Sequence, residues 1–197
     1  MSLEARPRAF LLKPGHLERD AEGNILDARS SVTLILAPSK KIIVDTGLED
    51  EADLIKKRLA ELGLSPEEVD LVINTHDHAD HCGNNRLFTR AQVLLGKGGR
   101  RLKEGEVVAP GVWIMETPGH TLDSISVVCE SSRKIVVAGD ALPLMGNYLK
   151  WVPPRLHVDR DLAMESMARI VEIADLVVPG HDSPFLVRER TRTADLH

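Results

Sequence analysis

Cysteine is almost missing from this chain: Cys82 and Cys129 are the only two. A disulfide framework like those that staple small secreted domains is therefore excluded, and reduced thiols suit the cytoplasm. Long apolar runs are missing as well, since none approaches the roughly 18 residues of a membrane span. The opening MSLEARPRAF lacks the basic start, apolar stretch and small-residue cleavage site of a secretory signal. The expectation is a cytoplasmic protein with no membrane partner. Basic excess is lacking too: 25 Lys and Arg face 30 Asp and Glu, and the net charge of −5 argues against broad nucleic-acid binding. No repeat or low-complexity tract interrupts the chain, and the one abrupt change is the tail TRTADLH (191–197), expected to be mobile. Glutamine occurs once, at Gln92, beside abundant Glu, Arg and Lys, a balance that leans toward a heat-adapted source.

What is present is an ordinary globular composition, 43% apolar and 28% charged over 197 residues, which suits one domain spanning 1–197. Short β-branched runs separated by turn residues predict strands at 31–37, 41–45, 71–74, 92–96, 112–117, 125–130, 134–139 and 175–180. Apolar spacing of three to four residues predicts amphipathic helices through Leu54, Ile55, Leu59 and Leu62 before Gly63, and from Leu162 to Ile173. Ser65 with Glu68 reads as a capping box opening a short helical turn. Several strands are apolar throughout, as in sheets covered on both faces, so two packed sheets flanked by helices is the expected α/β architecture.

The densest chemistry lies in THDHADHCGN (75–84), where His76, Asp77, His78, Asp80 and His81 crowd together after the strand LVIN. Other predicted strands also end in metal-competent side chains: VWIMETPGH in His120, KIVVAGD in Asp140 and DLVVPGH in His181. Gly119, Gly139 and Gly180 directly precede these three, and glycine lets a strand turn sharply into a common cleft. If the strands are neighbours, His76, His78, Asp80, His81, His120, Asp140 and His181 converge. One tetrahedral ion takes about four ligands. Two divalent ions sharing a bridging carboxylate would use the whole set and leave positions for water.

H-x-H-x-D-H after a strand, followed by histidine, aspartate and histidine at later strand ends, resembles the metallo-β-lactamase fold superfamily. The likeness runs from SVTLILA and KIIVDTG to VVPGHDSPF, and within the superfamily the chain is similar to small single-domain members. The resemblance implies a four-layer αββα sandwich with its metal centre at one edge of the sheets. It implies that His76, His78 and His120 hold one ion, that Asp80, His81 and His181 hold the other, and that Asp140 bridges them. It also implies that Asp45, in VDTG, orients the ligands or the loop beneath them. Zinc β-lactamases lack the bridging aspartate, so Asp140 favours the glyoxalase II-like and nuclease-like branches.

The expected activity is hydrolysis of a thioester, ester or phosphodiester by a hydroxide bridging two metal ions, zinc first, with iron or manganese compatible with the same donors. Asp77, between two ligands, occupies a position that some family members use to help activate water, and is assigned a catalytic role. Tyr148 and Trp151, in MGNYLKWVPP, are placed in a loop walling the pocket. GKGGRRLK (96–103) reads as a flexible basic loop in which Arg100 and Arg101 could contact an anionic substrate. A small-molecule substrate is the expected partner, with RNA as the alternative, and the oligomeric state is left open, a homodimer included. Two rival activities stand beside the hydrolase. One is an iron-dependent persulfide dioxygenase on His76, His120 and Asp140, the other a non-catalytic metal-binding scaffold. Cys82 is read as a small buried thiol, Trp113 as core, and His16, His157 and His197 as structural or exposed.

Overall fold

The computed structural model describes residues 6–94 and 100–187. Strands β1 (Arg8–Lys13), β4 (Val32–Leu36), β5 (Lys41–Val44), β6 (Leu71–Ile73) and β7 (Gln92–Leu94) form a five-stranded sheet in the order β1-β4-β5-β6-β7. The second sheet has six strands, ordered β13-β12-β11-β10-β9-β8. These are β8 (Val107–Ala109), β9 (Val112–Glu116), β10 (Ile125–Glu130), β11 (Lys134–Gly139), β12 (Leu176–Pro179) and β13 (Phe185–Leu186). A separate hairpin pairs β2 (His16–Arg19) with β3 (Ile25–Arg29).

Period-two alternation assigns the inner and outer faces. Ile125, Val127 and Cys129 of β10 join Ile35, Ile42 and Ile73 of the first sheet in the core between the sheets. Val128 and, on β11, Val136 turn outward against Met167 and Ile170 of helix α4 (Arg160–Ile173). On the opposite flank Ile55 and Leu59 of helix α1 (Ala52–Glu61) pack on Leu34, Ile43 and Val72. The layers are therefore helix, sheet, sheet, helix, as expected from apolar strands buried on both sides. Asp159 caps α4 by accepting from the amides of Asp161 and Leu162. Gly63 ends α1 with φ +72°. Ser65 and Glu68 form the expected capping box around the turn at Pro66–Glu68.

Two parallel pairings set the position of the chemistry. β5 runs parallel to β6, with Val44 beside Ile73, and β11 runs parallel to β12, with Gly139 opposite Pro179. Parallel neighbours end at the same edge, so Asp45 lies beside Thr75 and His76, and Asp140 beside His181. β9 is antiparallel to β10, which is antiparallel to β11, so β9 also ends at this edge and delivers His120.

The segment after Asp140 departs from the sequence reading. It is not a loop at Tyr148: helix α3 (Met145–Lys150) follows Pro143, ending at Trp151 with φ 53°. Tyr148 faces inward and stacks on Phe185, ring centroids 5.4 Å apart, and Trp151 packs on the same apolar cluster. Cys82 is partly exposed, because helix α2 (Ala79–Cys82) is a four-residue turn at the sheet edge and buries His81 instead. Trp113 is half-buried on the α4 side, and its Nε1 donates to Glu130. His16 and His157 are exposed. His197, the tail 191–197, residues 95–96 of the predicted strand 92–96 and residues 96–99 of the basic loop lie outside the described residues.

Candidate metal centre

Thr75 and His76 emerge from β6 into the edge formed by the parallel pairs, and the first turn of α2 follows. Here Asp45 adopts φ 57°, unusual for a residue with a side chain. What holds it is a set of hydrogen bonds: its carboxylate accepts from the Thr75 amide at 2.7 Å, the Thr75 hydroxyl at 2.9 Å and His81 Nδ1 at 2.8 Å. Gly139 lets the two sheet ends meet, and Gly180 leaves room for Asp140 beside it. Gly139, at φ +50°, has no room for a Cβ, which would come within 2.4 Å of Thr75 Oγ1. At Gly180 the space a Cβ would need is filled by the Asp140 carboxylate, 2.1 Å away.

The imidazoles are anchored on their outer nitrogens and converge on their inner ones. His120 Nδ1 donates to the Leu156 carbonyl at 2.7 Å, His181 Nδ1 to the Arg29 carbonyl at 3.1 Å, and His76 Nδ1 lies 3.2 Å from Thr75 Oγ1. On the inner side, His76 Nε2 and His120 Nε2 stand 2.9 and 3.1 Å from His78 Nδ1. Three lone-pair-bearing nitrogens this close need a cation or shared protons, and ligands of one tetrahedral zinc lie about 3.3 Å apart. Donor atoms of His76, His78 and His120, of His76, His81 and Asp140, and of Asp80, His81 and His181 form three groups, each with its atoms within 4.8 Å of one another.

His81 Nε2 and Asp140 Oδ1 are buried without a hydrogen-bond partner, although 3.4 Å apart. Such a pair of orphaned atoms is costly unless a cation satisfies both, so these residues fit a metal centre. Asp140 Oδ2 is 3.4 Å from His120 Nε2, and its Oδ1 is 3.2 Å from His181 Nε2. One carboxylate thus faces both halves of the cluster. Asp80 lies 3.5 Å from His181 and 3.7 Å from His81.

Protonation divides the cluster. Burial, reinforced by the neighbouring His81 charge, holds His76 well below the ordinary histidine range, and burial beside His120 lowers His78. Burial also opposes charge on His81, but Asp45 and Asp140 outweigh it and raise His81 well above that range. His181 is raised in the same way, its hydrogen bond to the Asp140 carboxylate overcoming burial. Burial would raise Asp140, yet His81 and His181 hold it well below the usual carboxylate range.

A cavity of about 190 Å³ opens above the cluster, with His78, Asp80, His120, Asp140 and His181 in its wall. The hairpin β2–β3 covers one side and the 143–156 segment the other. From that segment Leu144 and Asn147 line it, in place of Tyr148 and Trp151. Asp77 is exposed, and its side chain makes no hydrogen bond or ion pair among the described residues. Arg100 pairs with Glu106 at 2.5 and 3.1 Å, and Arg101 reaches the Leu122 carbonyl at 3.5 Å. Sequence reasoning missed Thr75, whose hydroxyl ties Asp45 to the imidazoles, although it adjoins His76. It also missed Arg19 and Arg155 in the cavity wall, for which the sequence carries no signal.

Comparison with known proteins agrees with this geometry. The family model described as the metallo-beta-lactamase superfamily matches residues 27–95. "Probable metallo-hydrolase MJ0296" of Methanocaldococcus jannaschii is 42% identical over 151 residues, covering 72% of this chain and 70% of that protein. "Metallo-beta-lactamase domain-containing protein 1" of Xenopus laevis is 34% identical over 185 residues, covering 86% and 77%. The solved structure of a quorum-quenching N-acyl homoserine lactone hydrolase superposes with a TM-score of 0.72 at 21% identity, covering 92% of this chain and 94% of that one. By this likeness to its relatives, and with the histidines and carboxylates its strand ends bring together, the chain belongs to the metallo-beta-lactamase superfamily, with the metal centre of a metal-dependent hydrolase.

Proposed function

We propose that this protein is a dinuclear, zinc-preferring hydrolase of small acyl compounds, cleaving a thioester, ester or lactone in glyoxalase II-like fashion. The observation that carries it is Asp140, whose carboxylate stands between His120 on one side and His81 with His181 on the other, Oδ2 reaching both His120 and His181 and Oδ1 reaching His81 and His181. His76, His78 and His120 would hold one cation and Asp80, His81 and His181 the second, with Asp140 offsetting the repulsion between them. When bound, divalent cations supply a water acidic enough to lose its proton near neutral pH and a Lewis acid for the substrate's carbonyl oxygen.

The chain's own residues contribute position and exclusion. The Leu156 and Arg29 carbonyls and the Asp45 carboxylate fix the rings of His120, His181 and His81, so donor geometry is set before substrate arrives. Leu17, Ile25 and Leu144 shield the cleft from water. Cys82 is an unsuitable nucleophile, because its thiol lies against the His78 carbonyl at 3.2 Å and outside the cavity wall. A cavity of about 190 Å³ favours a small molecule over an RNA strand. The lactonase fold relative supports an acyl substrate, since its named substrate is a cyclic ester.

Asp140→Asn tests the reading, as it keeps the shape but swaps a ligand oxygen for an NH₂ that cannot coordinate. The expected variant loses at least one metal equivalent, and its kcat on the best substrate of an ester, lactone and thioester panel falls by about a hundredfold or more. Two retained ions with wild-type turnover would sink the dinuclear assignment.

A further inference from the structure

We infer that the cavity has an anion-binding end built from Arg19 and Arg155, and that the substrate carries a carboxylate or phosphate beside its scissile acyl group. This rests on the hydrolase reading above and specifies its substrate class. Both arginines line the cavity, Arg19 from β2 and Arg155 from the 143–156 segment. They meet at one point of the hairpin turn. Arg19 Nη1 donates to the Gly23 carbonyl at 2.9 Å, while the Arg155 guanidinium sits so close to Gly23 that a Cβ there would have no room beside its Nη1.

Both guanidiniums are thus gathered at one residue, whereas Arg29 faces Asp50, Arg100 faces Glu106 and Arg169 faces Glu104. Among the described residues no carboxylate pairs with Arg19 or Arg155. Asp20, next in sequence to Arg19, is engaged by Asn24 through both oxygens. The cavity's own acids, Asp80 and Asp140, are turned to His181 and His81. The arginine pair is therefore a site of uncompensated positive charge, Arg19 half-buried and Arg155 exposed, beside Leu17, Ile25 and Leu156 of the cavity wall. Guanidinium forks suit carboxylate and phosphate oxygens. An anion seated there would leave the rest of a small molecule lying along the apolar wall toward Asp140 and the histidines, which orients the acyl carbon.

The test compares three probes of similar size: 3-(acetylthio)propanoate, 2-(acetylthio)ethyl phosphate and the neutral 3-(acetylthio)propanamide. Wild-type zinc-loaded protein should cleave at least one anionic probe with a kcat/KM about tenfold or more above the amide, most of it in KM. Which anion gains more tells carboxylate from phosphate. Arg155→Met should bring that ratio to within about twofold of one, and Arg155→Lys should keep part of it, with metal content and Tm unchanged. Arg19→Met could loosen the hairpin through the lost Gly23 bond, so Arg155 carries the test. A second readout needs no turnover: calorimetric binding of glutaramate, against neutral glutaramide, should weaken by about tenfold in Arg155→Met. Absence of any charge preference in the wild type, or its survival in Arg155→Met, overturns the anion site. If glutaramate binding depends on Arg155 while no thioester is cleaved, the anion site stands and the hydrolase reading falls.

Discussion

His81 shows how one residue type takes opposite states a few ångströms apart. Its Nδ1 meets Asp45 at 2.8 Å and its Nε2 faces Asp140 at 3.4 Å, so the metal-free ring keeps its proton. His76, tilted against it with ring centroids 4.1 Å apart, is neutral because burial and the His81 charge both oppose protonation. The consequence for metal uptake has a definite sign. A raised pKa means the metal-free ring is protonated at and above the ordinary histidine value of about 6.5, and a cation must displace that proton. Uptake by Asp80, His81 and His181 should therefore strengthen as pH rises from about 6.5, while His76 and His78, already neutral there, impose no such demand. Zinc titrations in two buffers of different ionisation enthalpy should count up to two protons released on filling the second site. A stoichiometry of zero at pH 7, or uptake of both equivalents that ignores pH, would contradict this assignment. That these histidines and carboxylates converge at strand ends was legible in the sequence, since their spacing and their place after apolar strands separate them from solvated histidines. Which ring nitrogen turns inward was not. His78 presents Nδ1 where the others present Nε2, visible only in three dimensions.

Elements with clear periodicity were readable in the sequence, and those held by other forces were not. The strands rich in Val and Ile declare themselves because both faces are buried, as in β10 and β11. The hairpin β2–β3 escapes notice because its residues, HLER and ILDAR, are half-exposed and charged, and α3 escapes because six residues with Gly146 after Pro143 give no cap or period. β1 is edged by polar contacts as much as apolar ones: Lys13, buried at its end, donates to the Ser30 carbonyl and pairs with Glu51 at 3.0 Å, itself buried at the start of α1. Glu51 also accepts from the Leu48 amide at 2.9 Å, so one carboxylate joins β1, the turn after β5 and α1. Removing one member of a buried pair strands the other's charge. Glu51→Gln should therefore cost about 3 kcal/mol in denaturant unfolding, whereas Lys13→Met with Glu51→Leu should recover most of it. A loss below about 1 kcal/mol for the single variant would place the pair among ion pairs of no net consequence.

At the scale of the whole molecule the metal centre is a clasp between the two sheets. His76, His78, Asp80 and His81 follow β6 of the first sheet, whereas His120, Asp140 and His181 follow β9, β11 and β12 of the second. Beyond the apolar core, the described cross-links at this edge are few, among them the Ile125 amide to the Thr75 carbonyl at 2.9 Å and the Ser31 amide to the Gly180 carbonyl at 2.7 Å. Without cations the edge holds three imidazole nitrogens in mutual contact and leaves His81 Nε2 and Asp140 Oδ1 buried without a hydrogen-bond partner, and the lone-pair repulsions weaken it. With cations those repulsions become ligand bonds that exist only in the folded chain. Binding confined to the native state stabilises by an amount set by free metal over Kd, about 4 kcal/mol at a thousandfold excess. For a chain of this size each kcal/mol shifts Tm by about 2–4 °C. Chelation should thus lower Tm by about 8–16 °C, restored in proportion to the logarithm of added zinc, and Asp140→Asn should show a smaller chelator response than wild type because it begins with fewer ions. Differential scanning calorimetry across a zinc series decides the matter. A Tm indifferent to chelator and to zinc would mean that the sheets are held by the apolar core alone, and that the cluster binds metal without joining them.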